Sequence, residues 1–197
     1  DGNTSSTFKA RHSVTQTAQT GGWASSGNVS ANNLLQNGDF TSTSSWSGAT
    51  VSGGQLVVSG NHKGTKSVSQ TVTVNASADQ TYTLSGWAKA LSVPKLETGN
   101  NRKYELRALI TYTDGTTETQ TVEFNVDSSQ WQYACGGIAP KQSGKTVRSI
   151  TVSCAFDYQP NTAYFDKVRL VKDPSPTYRY DANGKLVSMT KEDGTQQ

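Results

Sequence analysis

The chain is poor in metal-binding and cross-linking residues. Of its 197 residues only Cys135 and Cys154 are cysteines, and only His12 and His62 are histidines. Two cysteines cannot build a disulfide framework, and this Cys/His inventory excludes a zinc site of the usual kind. Two free thiols are the expected state, with a single bridge as the alternative. Charged residues make up 17% and hydrophobic residues 32%, against roughly 25% and 45–50% in average soluble domains. Apolar runs are only a few residues long, so no segment reads as a membrane-spanning helix, and no membrane insertion is expected. The net charge is +3 and the Lys and Arg residues are scattered singly, so no nucleic-acid stripe is visible and no nucleic-acid partner is expected. The first residue is Asp and no apolar leader follows, which reads as a piece of a larger protein.

Hydroxyl residues fill the gap. Ser and Thr total 50, and both are poor helix formers. The 4 Trp, 8 Tyr and 5 Phe are too many aromatics for a disordered chain. This mixture reads as secreted, all-β material.

Residues 1–33 are rich in Ser, Thr, Gly and Asn without a sustained period, and read as a linker or partly ordered lead-in with Trp23 as its one large apolar landmark. Residues 34–172 read as strand after strand. Val68, Val72 and Val74 share one parity; Tyr82, Leu84, Gly86 and Ala88 another. Tyr104, Leu106, Ala108, Ile110 and Tyr112 follow a strict period of two, as do Val122, Phe124 and Val126. The sets Trp131, Tyr133, Cys135 and Ile150, Val152, Cys154, Phe156 repeat the pattern, and Tyr164, Val168 and Leu170 close it. Period two with β-branched and aromatic enrichment predicts half-buried strands. Turn signals separate them, Asp114-Gly115 being the strongest hairpin signal. Seven or more such strands predict an antiparallel two-sheet β-sandwich. Beyond Asp173-Pro174-Ser175-Pro176, residues 173–197 read as a stiff linker and a short hairpin turning at Asn183-Gly184.

Two stretches carry family resemblances. Tyr178, Tyr180, Asp181, Gly184 and Leu186 fall in the order of the Tyr-x-Tyr-Asp-x-x-Gly-x-Leu unit, so the tail resembles one YD repeat of the RHS-repeat proteins. Residues 34–172 resemble a carbohydrate-binding-module-like jelly roll of the galactose-binding type. The similarity lies in Asn33-Leu34-Leu35-Gln36-Asn37-Gly38-Asp39-Phe40 followed by Trp46, in Tyr82-Thr83-Leu84-Ser85-Gly86-Trp87-Ala88-Lys89, and in Ala163-Tyr164-Phe165-Asp166-Lys167-Val168-Arg169-Leu170. The resemblances imply a bacterial-type secreted or cell-surface protein whose partners are a glycan or cell-wall polysaccharide and the rest of an RHS/YD chain. They also imply a structural Ca²⁺ held by Asp166 together with the 37–41 segment, here Asp39 and Thr41; Thr41 stands where the family has Glu.

Independently of the resemblance, Asp166 shares parity with Tyr164 and Val168 and is expected to face inward, where a carboxylate needs hydrogen bonds or a cation. Trp87 lies on the polar parity of its strand beside Ser85 and Lys89, as a sugar platform requires; cover by the lead-in or a loop is the other reading. Glu105 and Arg107, on the polar parity of the next strand, are expected to take sugar hydroxyls. Failing these, the loops around Asn61, His62 and Tyr158 are the alternative place for a ligand. Trp46 and Trp131 are expected in the core. Residues 139–146 fit a loose phosphate-loop pattern, but a strand follows where that loop needs a helix. No nucleophile elbow, His-Glu-x-x-His or Ser/His/Asp constellation is present, and Glu97, Glu105, Glu118 and Glu123 show no special setting, so catalysis is not expected. The expectation is a non-catalytic glycan-binding module, with a structural spacer or protein-interaction domain as the alternative.

Overall fold

The computed structural model describes residues 33–91, 101–173, 177–180 and 186–190. The expected lead-in with Trp23, the Pro174 to Pro176 linker and the Asn183-Gly184 turn lie outside the described residues. The chain divides into Asp1–Leu34 and Leu35–Gln197, and the described strands all belong to the second unit.

Eleven strands occur among the described residues: β1 (Thr50–Ser52), β2 (Gln55–Ser59), β3 (Ser67–Ser77), β4 (Tyr82–Ala90), β5 (Glu105–Tyr112), β6 (Thr117–Glu123), β7 (Gln132–Ile138), β8 (Thr146–Ala155), β9 (Thr162–Lys172), β10 (Thr177–Tyr180) and β11 (Leu186–Thr190). They form a five-stranded sheet β1-β2-β9-β4-β7, a four-stranded sheet β3-β8-β5-β6 and the pair β10-β11. Every strand pairing is antiparallel. The architecture is the two-sheet β-sandwich that the alternation predicts, with no helix among the described residues.

The sequence explains the hairpins locally. At Asp114-Gly115 the glycine takes φ 86°, and the Asp114 carboxylate accepts from the backbone N–H and hydroxyl of Thr116 at 3.0 and 2.7 Å. Both sheets turn their apolar parity inward. Leu56, Leu84, Ala88, Phe165, Val168 and Leu170 meet Leu106, Ala108, Ile110, Ile150, Val152 and Cys154 in one core. The sheets approach closely at Gly86, where a Cβ would sit 3.1 Å from Leu106 and 3.2 Å from Val168. Phe40 and Trp46 close one part of the core with ring centroids 5.1 Å apart. The buried Trp46 indole N–H donates to the carbonyls of Gln36 and Asn37 at 3.0 and 3.2 Å, which satisfies its one polar group.

Three expected orientations are corrected. In β7 the inward residues are Ala134, Gly136 and Ile138, while Tyr133 and Cys135 face out and Trp131, just ahead of the strand, is half-buried. Space is the reason: a Cβ at position 136 would lie 2.8 Å from Val122. The inward parity of β7 therefore needs glycine there, and a one-residue slip turns every side chain over. In β9 the pairings Trp87↔Asp166 and Ser85↔Arg169 set three steps of β9 against two of β4. This is a β-bulge, with Lys167 at φ 51°. It switches parity mid-strand, so Ala163 and Phe165 face inward before it and Val168 and Leu170 after it. Asp166 is consequently on the outer face rather than in the core. Finally, both cysteines are free thiols, as expected, but only Cys154 is buried; burial pushes its thiol well above the ordinary range.

Candidate ligand-binding face

The outer face of the five-stranded sheet carries an exposed aromatic pair. Trp87 on β4 and Tyr133 on β7 are register partners. Their ring centroids are 5.5 Å apart with the planes tilted by 49°, and they remain 38% and 37% exposed. Cross-strand aromatic pairs hold one another in place, so two ring faces are presented on a rigid sheet rather than on a loop.

Polar groups surround the pair. Across β4 from Tyr133, Asp166 stands opposite Trp87. One outward step along β4, Ser85 lies between Cys135 and Arg169; one step the other way, Lys89 is opposite Tyr164. Partial burial pushes the Tyr133 phenol up to about 12, against the pull of the Ser85 hydroxyl and the charge of Arg169. Burial also raises the Asp166 carboxyl, helped by the negative charge of Asp39 and opposed by the Lys167 backbone N–H and by Lys167 and Arg169. The Asp166 Oδ1 accepts that N–H at 2.7 Å.

Asp166 and Asp39, two of the three expected calcium ligands, are thus brought within electrostatic reach of each other. Thr41 donates its hydroxyl to Asn37 Oδ1 at 3.0 Å. A guanidinium nitrogen of Arg169 stands 3.6 Å from Asp39. Among the described residues no three His, Cys, Asp or Glu side chains converge on a metal position.

Glu105 and Arg107 are not beside Trp87. Strands β4 and β5 are consecutive but belong to different sheets, so their outward parities face opposite sides of the sandwich. There Arg107 is held by Glu105 at 2.7 Å and by Asp157 at 2.8 Å. Asp157 also accepts the Lys66 backbone N–H at 2.7 Å. Both carboxylates are buried. The expectation that these two residues share a sugar site with Trp87 is corrected: they pin the start of β5 to the segment after β8. The site residue that sequence reasoning misses is Tyr133. Its signal is Gly136, an inward strand position without a side chain.

Residues 139–145 connect β7 to β8, and the strand that follows excludes a phosphate loop. Lys145 is neutralised by Asp114 at 2.6 Å and lies 5.6 Å from the centre of the Tyr112 ring. The ammonium beside it and the Thr116 bonds hold the Asp114 carboxyl well below the usual carboxylate range.

No protein-family model matches the chain. The tRNA(Glu)-specific nuclease WapA of Bacillus subtilis subsp. natto (strain BEST195) and the tRNA nuclease WapA of Bacillus subtilis (strain 168) are each 32% identical over 186 residues. Each alignment takes in 85% of this chain but 8% of the relative's own length. The tRNA3(Ser)-specific nuclease WapA of Bacillus spizizenii is 33% identical over 122 residues, 60% of this chain and 5% of the relative. Among solved structures, the enzymatically active domain of bacteriophage CBA120 tailspike protein 4 matches with TM-score 0.50 and 12% identity, over 72% of this chain and 22% of that one. Two carbohydrate-binding modules, one of family 16 and one described as CBM4, match at TM-scores 0.45 and 0.46 with 17% and 18% identity; each match covers 71% of this chain and 99% of the module. The structural likeness concerns the sandwich fold alone. The expectation that the chain is not an enzyme is contradicted by the three relatives, all of them nucleases by name. The same names reopen the expectation of no nucleic-acid partner.

Proposed function

We propose that the chain binds glycan through the outer face of its five-stranded sheet, as one segment of a longer secreted or cell-surface protein. The observation that carries this reading is the exposed Trp87 and Tyr133 pair with Asp166, Arg169 and Lys89 around it. Flat apolar rings cover the C–H faces of a pyranose, and neighbouring polar groups take its hydroxyls. A structural spacer has no need to present two aromatic rings framed by hydrogen-bonding groups. Trp87→Ala is expected to lower glycan affinity roughly thirtyfold or more, as loss of an interface tryptophan does. The same change should cost only about 1 kcal/mol of stability, because the ring is partly exposed and its one aromatic contact among the described residues is Tyr133. A glycan array followed by affinity and melting measurements on both proteins checks this; unchanged affinity removes the face from consideration.

The relatives favour a second reading, in which the chain works as part of a tRNA nuclease. Incubation of the wild-type chain with tRNA tests it directly. Cleavage or stable binding of tRNA, with no glycan bound, would replace the first reading.

A further inference from the structure

Resting on the glycan reading, we propose that the ligand of this face is an anionic glycan, its acidic groups held by Arg169 and Lys89 while its sugar rings lie over Trp87 and Tyr133. Three cations, Lys89, Lys167 and Arg169, stand on or beside the aromatic pair against two carboxylates, Asp39 and Asp166. Lys89 has no ion-pair partner among the described residues. The only ion pair of Arg169 among those residues is with Asp39, at 3.6 Å, with the Arg169 side chain 17% and the Asp39 side chain 54% exposed. At that length, and with the carboxylate half in solvent, the pair is weak. An incoming carboxylate or phosphate that meets the guanidinium through two parallel bonds can displace it.

The layout also suits a chain rather than a single sugar. Lys89 and Ser85 are four residues apart on β4, and Arg169 sits across from Ser85. At the rise of an extended strand, the two cations flank the rings at a separation of roughly 13 Å along the strand. That is longer than one sugar residue, so the two acidic groups belong to different residues of an extended polymer. Beyond Ser85 the floor stays low. Gly137, the β7 partner of Thr83, has open space where a Cβ would be, and an extended ligand can continue over it. Asp166, whose Oδ1 already accepts the Lys167 N–H, has its second oxygen for a sugar hydroxyl.

The test uses the full chain with three probes: polygalacturonate, the same polymer fully methyl-esterified, and tRNA. Binding is read by calorimetry and also by alkylation of Cys135, which is exposed while Cys154 is buried. Cys135 lies across from Ser85 on this face, so an occupied face should slow its modification. Polygalacturonate is expected to bind, to protect Cys135 and to weaken about tenfold in Arg169→Gln and in Lys89→Gln, the loss of one charge-assisted contact. It should also weaken with rising salt. Lys89→Gln guards against a folding defect in Arg169→Gln. Equal or tighter binding of the esterified polymer overturns the anionic inference and leaves the glycan reading standing. Binding without protection of Cys135 overturns it by placing the ligand elsewhere. Protection by tRNA and by neither polymer overturns both readings in favour of RNA, and no binding of any probe overturns the anionic inference and leaves the glycan reading to the glycan array.

Discussion

Gly60→Ala is expected to destabilise the sandwich by about 3 kcal/mol or more, the upper end of what overpacking costs. The cause is space, not backbone torsion. A Cβ at position 60 would lie 2.2 Å from the carbonyl oxygen of Gln159, 2.7 Å from that of Asn161 and 2.9 Å from the Gln159 carbonyl carbon. All three atoms are backbone, so no side-chain rotation relieves the clash. The Gly60 N–H donates to the Asn161 carbonyl at 2.8 Å, which fixes how closely the segments approach. The clash also falls where the two halves of the fold are tied. Asn61 bridges to Asp157, the Tyr158 N–H donates to the Gly64 carbonyl, and the Phe156 N–H donates to the Lys66 carbonyl, both at 2.8 Å. Moving residue 159 away strains all of these bonds together. In a domain of this size the loss corresponds to a fall in Tm of roughly 6–12 °C. Gly137→Ala is the control: nothing lies within 4 Å of its Cβ position, so stability should change by less than about 0.5 kcal/mol. Urea unfolding of both variants checks the pair. A Gly60→Ala protein as stable as the parent would mean that the β2–β3 and β8–β9 connections do not abut as described.

Strand existence was legible in the sequence because alternation is a local property. Tyr104 to Tyr112 announces β5 without reference to any neighbour, and Asp114-Gly115 announces its turn. The errors fall where the third dimension decides. The bulge at Asp166-Lys167 follows from pairing with β4, a contact some 80 residues away in sequence, and it alone turns Asp166 outward. Strand β7 follows the space beside Val122 rather than its own aromatic parity. The membership of β4 and β5 in different sheets is a topological fact that no spacing records. Trp87 was legible as a polar-face aromatic; its partner Tyr133 was not, because a single inverted register hid it. A site built across strands therefore shows itself in sequence one residue at a time, and only the residue whose own strand is read correctly is found.

The same partition of sheets governs what Arg107 does. Arg107→Met is expected to cost about 3 kcal/mol of stability while leaving glycan affinity unchanged. Its guanidinium lies between Glu105, whose side chain is 2% exposed, and Asp157, at 4%. Arg107 donates its Nε–H to Glu105 at 2.8 Å and a terminal N–H to Asp157 at 2.8 Å, and that terminal nitrogen also lies 2.7 Å from the Glu105 carboxylate. Methionine keeps much of the length and apolar stem but removes the charge, leaving two buried carboxylates near one another with no cation between them. Breaking such a pair costs roughly 3–5 kcal/mol; the 26% exposure of the Arg107 side chain admits water and sets the expectation at the lower end. Adding Glu105→Gln to Arg107→Met should recover part of the loss, since it removes one of the two stranded charges. A residue that contacts the ligand would behave differently: its substitution would lower affinity with little change in Tm, and Glu105→Gln would not rescue it. Melting and glycan titration of the single and double variants separate the two cases. Lost affinity at unchanged Tm would return Arg107 to the binding site and place the ligand on the four-stranded sheet, on the opposite side of the sandwich from Trp87.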